Sequence, residues 1–190
     1  MKFFNFDFET LRIKGFETGK EQILAETDAI YRLCNGDLPD QRQKRYEKAL
    51  SHVTRKEYGA GGELVFRGYY CPSIYQTFAI GGCSRGKVLK QVTPREEIFY
   101  EFCYEGNDLI VVKRFAGMYV GLVERDLIGV EFLERRGDIE IGVQFDCYCG
   151  KCEELESIHV CQYDGNQLIN VRSLMLLNEH KRTPFKYEKE

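Results

Sequence analysis

Hydrophobic and polar positions fall into two regimes along the 190-residue chain, a helical period followed by a long stretch of strand alternation. Phe4, Phe6 and Phe8 alternate with Asn5 and Asp7, which predicts a short strand over residues 3–8. Thr18 and Glu21 form a capping box in which hydroxyl and carboxylate each satisfy an exposed amide. After it Ile23, Leu24, Thr27, Ile30, Tyr31 and Cys34 recur at helical spacing, and Gly36 supplies a left-handed stop. A second helix is expected after Pro39, with Tyr46, Ala49, Leu50 and Val53 on its buried stripe and Arg42, Lys44, Arg45, Lys48, Arg55 and Lys56 on its other faces. Gly59, Gly61 and Gly62 then break the pattern and read as a flexible connector.

From Ile98 onward the turn signals come at regular intervals: Gly106-Asn107, Arg125-Asp126, Arg136-Gly137, Gly150-Lys151 and Gly165-Asn166. Strands separated by such short turns form an antiparallel meander. Each turn dictates a register that can be checked against side-chain character, since a one-residue slip exposes a whole apolar row. A turn at Arg136-Gly137 opposes Phe132 to Ile141, Val130 to Val143 and Ile128 to Phe145. A turn over Glu124–Asp126 opposes Leu122 to Ile128, Val120 to Val130 and Met118 to Phe132. A turn at Gly150-Lys151 opposes Val143 to Ile158 and Ile141 to Val160. All three put the same apolar row on one face. The expected fold is α+β: a seven-strand antiparallel β-meander sheet with a small helical N-terminal part. Residues 1–58 supply a strand and two helices packing on the sheet, and 59–190 form the antiparallel β region of a single compact domain.

Charge sharpens this picture. The formal net charge is −3, yet 16 acidic and 6 basic residues lie between Glu96 and Asp164, a net −10. The other residues, 21 basic and 14 acidic, carry +7. The face opposite the apolar row shows Glu131, Glu140, Gln144 and Asp146, so the acidic block is expected on one outward side of the sheet. Glu101 and Glu105 are candidate neighbours in the 98–112 hairpin. Such a face disfavours nucleic acid and suits a basic protein partner. The binding residues expected from this pattern are Glu131, Glu140, Asp146, Glu101 and Glu105.

The chain has eight cysteines, and no stretch approaches the roughly 20 apolar residues of a membrane helix. Asp7 and Glu9 stand where a signal peptide keeps an apolar run, so a cytoplasmic location with reduced thiols is expected and no membrane contact. Cys147, Cys149 and Cys152 offer three soft ligands for zinc, which needs a fourth. Cys161 and His159 are nearest in sequence, but Cys161 is nine residues along the strand from Cys152, roughly 30 Å at about 3.3 Å per residue. Only a ligand from elsewhere in the chain completes such a site, and no metal or other cofactor is expected. Cys149-Gly-Lys-Cys152 is flanked by strands, whereas thioredoxin-like chemistry places its CxxC at a helix N-terminus.

Other chemistry is sparse. Cys71 before Pro72 lies in a Tyr-rich loop without an identifiable base, and His52, His159 and His180 are the chain's three histidines. Leu64-Val-Phe-Arg67-Gly68 resembles the strand-borne Arg-Gly of ADP-ribosyltransferases. Their Ser-Thr-Ser strand and Glu-x-Glu turn are replaced here by Ser73-Ile-Tyr and Asp138-Ile-Glu140. An enzyme with a nucleotide- or thiol-dependent site around Arg67–Cys83 is the alternative to a binding protein, and a cytosolic scaffold is a third reading.

An internal echo completes the pattern: YEGNDLIVV at 104–112 returns as YDGNQLINV at 163–171. These Tyr-acid-Gly-Asn-x-Leu-Ile hairpins resemble those of small immunity proteins of bacterial contact-dependent toxin systems and, remotely, Tyr-Asp repeat proteins. The resemblance spans about residues 97–176 and carries over no functional residue. It implies a cytosolic, non-enzymatic protein that neutralises a toxin domain by binding it, and a basic nuclease-like toxin is the partner an acidic sheet face would cover.

Overall fold

The computed structural model describes residues 39–60, 86–91, 98–116, 126–148, 151–165, 167–177 and 181–188. The expected strand at 3–8 and the first expected helix lie outside them, as does the Arg67–Cys83 region. What they form is mostly antiparallel sheet with one helix, α1 (Pro39–Ser51). The strands are β1 (Arg55–Ala60), β2 (Lys87–Leu89), β3 (Ile98–Glu105), β4 (Asp108–Ala116), β5 (Asp126–Arg136), β6 (Ile139–Tyr148), β7 (Lys151–Asp164), β8 (Gln167–Leu177) and β9 (Lys181–Glu188). Their spatial order, β2-β1-β3-β4-β5-β6-β7-β8-β9, makes β3 to β9 a continuous seven-strand meander with β1 and β2 added beside β3. No helix among the described residues is long and apolar enough to cross a membrane.

Helix α1 starts at Pro39, whose fixed φ suits a first helical turn and whose missing N–H costs nothing there. It ends where the last carbonyls find partners: Ser51 Oγ donates to the Lys48 carbonyl at 2.8 Å, and the His52 and Val53 amides reach back to Ala49 and Leu50. Arg55 and Lys56 therefore belong to β1 and not to the helix. Gly59, expected in a connector, lies in β1 opposite Val88 and Tyr100 and is buried. The division expected at residue 58 thus falls inside a strand. Of the expected buried stripe, Ala49 is fully buried and Tyr46 and Val53, the latter just beyond the helix, pack on the core, while Leu50 is half-buried. The Tyr46 ring meets Phe132 edge-on at 6.4 Å.

Below α1, one sheet face gathers Val111, Val130, Phe132, Ile139, Ile141, Val143, Phe145, Cys147, Ile158 and Val160 into the main core. The opposite face carries a smaller apolar cluster of Tyr100, Phe102, Tyr104, Val112 and Leu133. Val143 opposes Ile158 and Ile141 opposes Val160, as the apolar matching predicts, but Lys151, expected in the turn, already belongs to β7 and pairs with Tyr148; two register shifts along the hairpin restore the expected pairs. The β5–β6 pairing differs from expectation by two residues: Phe132 faces Val143, and the turn is Gly137-Asp138. Gly137 adopts φ 59°, so it takes the first turn position, where a primed hairpin turn demands a left-handed residue. An even slip leaves each residue on its predicted face.

The β4–β5 pairing is a larger correction. Val111, and not Met118, faces Phe132, and Lys113 faces Val130. The shift is seven residues, an odd number that also exchanges faces. Matching apolar to apolar gives no reason to set a lysine against Val130. Glu101 supplies it, pairing with Lys113 Nζ at 2.8 Å from the neighbouring strand.

The sequence echo is a structural one. In β3–β4, Tyr104 faces Leu109 but Cys103 faces Val111; in β7–β8, Tyr163 faces Leu168 but Gln162 faces Asn170. Each hairpin thus turns on a left-handed glycine, Gly106 at 60° or Gly165 at 58°, and bulges at the same isoleucine of the repeat. His159 consequently faces Ser173. Both tyrosines carry a guanidinium on the ring, Arg55 at 3.8 Å from Tyr104 and Arg135 at 4.4 Å from Tyr163. Both hydroxyls point to a glutamate, Glu57 and Glu140.

Candidate functional site

Strand register divides the five acidic candidates between two faces. Glu101 pairs in register with Lys113, which shares a face with Val130 and Phe145, so Glu101 lies on the helix side. It is 8% exposed and bridges Lys113 and Lys56, the latter at 3.2 Å. Burial alone would raise its pKa, but the two ammonium groups bring it below the ordinary carboxylate value. They also leave Cys103 beside a charged carboxylate; burial first and that neighbour second push its thiol up to about 12, so it is inert. Glu105 stands at the end of α1, 2.9 Å from His52 Nδ1, and that hydrogen bond lowers its pKa.

Glu131, Glu140 and Asp146 do share the other face, yet the first two are not outward. Glu131 is 7% exposed and Glu140 9%, and Gln144 between them is 3%. Glu131 fits because its register-neighbour strand has no side chain at residue 142: a Cβ on Gly142 would stand 2.5 Å from Glu131 Oε1. Glu140 accepts the long 3.5 Å hydrogen bond from the Tyr163 hydroxyl. Alternation along a strand fixes the face of a residue but says nothing of what covers that face, and here the expectation of a solvated acidic surface fails. Asp146 alone of the three is open, its side chain 57% exposed.

Asp146 is the outer end of a polar chain that sequence reasoning missed. Arg114, 7% exposed, donates through Nη2 to Asp146 Oδ1 at 3.0 Å and to Glu156 Oε2 at 2.6 Å. The Gln144 amide N–H donates to the same Glu156 oxygen at 2.6 Å. Its carbonyl accepts from Ser157 Oγ at 3.1 Å, and Ser157 lies 3.0 Å from His159 Nε2. Two backbone features bring these groups together. Register shifts on β7 set Leu155 opposite Phe145 and Ser157 opposite Gln144, so the bulged Glu156 joins Ser157 on this face. Gly129 clears a path across β5, because a Cβ there would lie 2.3 Å from Arg114 Nε. A lone glycine inside an apolar strand marks close approach of another group, and Gly129 was the sequence signal for Arg114.

The chain has a direction. Since Gln144 donates to Glu156, its oxygen must receive the Ser157 proton, and His159 Nε2–H then donates to Ser157. Histidine in that role cannot take a proton from the serine, and Ser157 is fully buried, so the pair is not a nucleophile and its base. Donors converge instead on Glu156. Burial, opposed by Arg114 and reinforced by Asp146, raises its carboxyl to about 7. The group changes charge near neutrality, held between an arginine and a second carboxylate.

Among the described residues of the sheet, the remaining exposed acids occupy the strand ends. Asp126 opens β5, Asp146 lies near the end of β6, and Glu154 lies opposite Asp146 in β7, all at one end of the sheet. Asp108 and Asp164 flank the two echo turns at the other end. Among the described residues no group of three or more metal-ligating side chains comes together. Cys149 lies outside them, and register sets Cys152 opposite Cys147 and Cys161 opposite Glu140. The chain matches no family model, no curated protein and no solved structure.

Proposed function

We propose that the protein acts by binding and not by catalysis, as a cytosolic immunity protein that neutralises a basic, nuclease-like toxin domain. The observation that carries this reading is the end of the sheet where Asp126, Asp146 and Glu154 stand exposed on three consecutive strands. Acids on the faces are matched inside the fold: Glu101 by Lys113 and Lys56, Glu134 by Arg136 at 3.2 Å, Glu156 by Arg114. Asp146 is likewise held by Arg114, at 3.0 Å, so the exposed Asp126 and Glu154 contribute most to the field that a partner meets at this end. An excess of like charge at one end steers a basic partner and fixes its approach. Glu131, Glu140 and Glu101 act behind this surface, as buried parts of the frame, and Glu105 belongs to the helix-side end.

The test is protection. The purified protein, mixed with a basic toxin domain encoded beside it, should suppress the toxin's activity and bind with an on-rate that falls steeply as salt rises. Salt-independent association, or absence of binding to that domain, overturns the proposal.

A further inference from the structure

The β6–β7 hairpin carries a pair of cysteines whose placement is a backbone property. The ladder's last register pair is Tyr148↔Lys151, with two residues between them in the sequence, and the next pair is Cys147↔Cys152. In a two-residue hairpin the closing pair exchanges both hydrogen bonds, and the pair after it exchanges none. Cα atoms of such a non-hydrogen-bonded pair stand about 4.5 Å apart, inside the roughly 4.4–6.8 Å range that a disulfide spans. The other cysteines of the described ladder have different partners: Cys103 faces Val111 and Lys56, and Cys161 faces Glu140 and Val171. A register shift between Asp146 and Cys147 also separates this hairpin end from the longer ladder, so a cross-link there leaves the pairing of Val143 with Ile158 untouched.

We propose that Cys147 and Cys152 are a redox pair, a cross-strand dithiol that closes to a disulfide by exchange with a low-molecular-weight disulfide such as glutathione disulfide. One cysteine, as thiolate, attacks a sulfur of the glutathione disulfide and releases one glutathione thiolate. The second cysteine then attacks the protein sulfur of the mixed disulfide and releases the other. Two cysteine thiols are oxidised, one glutathione disulfide is reduced to two glutathione thiols, and the two protons leave with them. The pairing departs from the CxxC of the sequence, since Cys149 is not the residue facing Cys152. Closure clamps the strand end that bears Asp146 and Glu154, so the oxidised form holds those two carboxylates more rigidly.

The experiment equilibrates the full-length protein with mixtures of reduced and oxidised glutathione, blocks free thiols by alkylation and maps the digest by mass spectrometry. Trypsin cuts after Arg136, Lys151 and Arg172, so the disulfide joins peptide 137–151 to peptide 152–172. The joined species should survive in the Cys149→Ser/Cys161→Ser double variant, where Cys147 and Cys152 are the remaining cysteines of the two peptides. It should be lost in Cys152→Ser and on reduction. Cys147 is buried and its serine variant is a folding risk, which makes Cys152→Ser the decisive control. A linkage that requires Cys149, or no linkage in the folded double variant at a glutathione ratio that oxidises the same chain in urea, overturns the proposal.

Discussion

Glu156 is held by opposing forces, and its titration makes them measurable. Burial raises its pKa, Arg114 lowers it, Asp146 raises it again, and the balance lies at about 7 against 4.5 for an unperturbed glutamate. The folded state therefore holds this proton more tightly than the unfolded chain. The resulting stabilisation is complete below about pH 4.5 and is lost as pH rises through about 7. A displacement of that size corresponds to about 3 kcal/mol. Glu156→Gln should flatten this part of the pH dependence, read as urea midpoints at pH 5 and pH 8; an unchanged slope removes Glu156 as its source. A second test lies at Gly129. Gly129→Ala forces the Arg114 guanidinium aside and should cost about 1–3 kcal/mol, most of it vanishing in an Arg114→Ala background. Additive costs in the double mutant would show that the glycine serves some other purpose.

The meander was legible because its turns are written in glycine and its inner row in alternating apolar residues. Apolar matching identified the pairings of Val143 with Ile158 and Ile141 with Val160, although the ladder ends at Tyr148↔Lys151 and reaches them through two register shifts that the turn signal does not announce. What escaped was whatever depends on a bulge or a compensated charge. Glu156 reaches Arg114 through a bulge that period-two counting passes over, and Lys113 sits in a core row because Glu101 meets it from the next strand. The echo hairpins show the same limit, since the repeat announces two similar turns but not that both bulge one residue after Leu109 or Leu168. Their similarity supports a paired prediction. Neither Gly106 nor Gly165 has an atom within 4 Å of a built Cβ, so the cost of alanine there is that of a left-handed residue, about 1–2 kcal/mol at each site. Asparagine, which tolerates that conformation, should recover much of it. Thermal unfolding of the four variants measures this directly, and a much larger loss at one turn would mean that the two hairpins are not equivalent in folding.

On the scale of the whole molecule, acidic residues serve two ends, and burial separates them. Glu131 and Glu140 are buried polar parts of a sheet face, so Glu131→Lys or Glu140→Lys places an ammonium in space fitted to a carboxylate. Each should destabilise the protein by about 3 kcal/mol or more, and a lost toxin complex would then report unfolding and not contact. Strand-end residues allow the clean experiment. Asp126 and Glu154 are exposed, and Glu154 lies directly across from Asp146, a like-charge pairing that Glu154→Lys converts into an attraction. The Asp126→Lys/Glu154→Lys variant should therefore keep its melting temperature within a few degrees. Under the proposed function, its association rate with a basic toxin domain should fall on the order of tenfold at low salt, with a shallower salt dependence, because steering arises from the summed field at that end. Dissociation should change less, since exposed ion pairs contribute little once the complex has formed. A folded double variant that associates at the original rate would move the binding surface away from this end of the sheet. The carboxylates flanking the echo turns, Asp108 and Asp164, would then be the next pair to reverse.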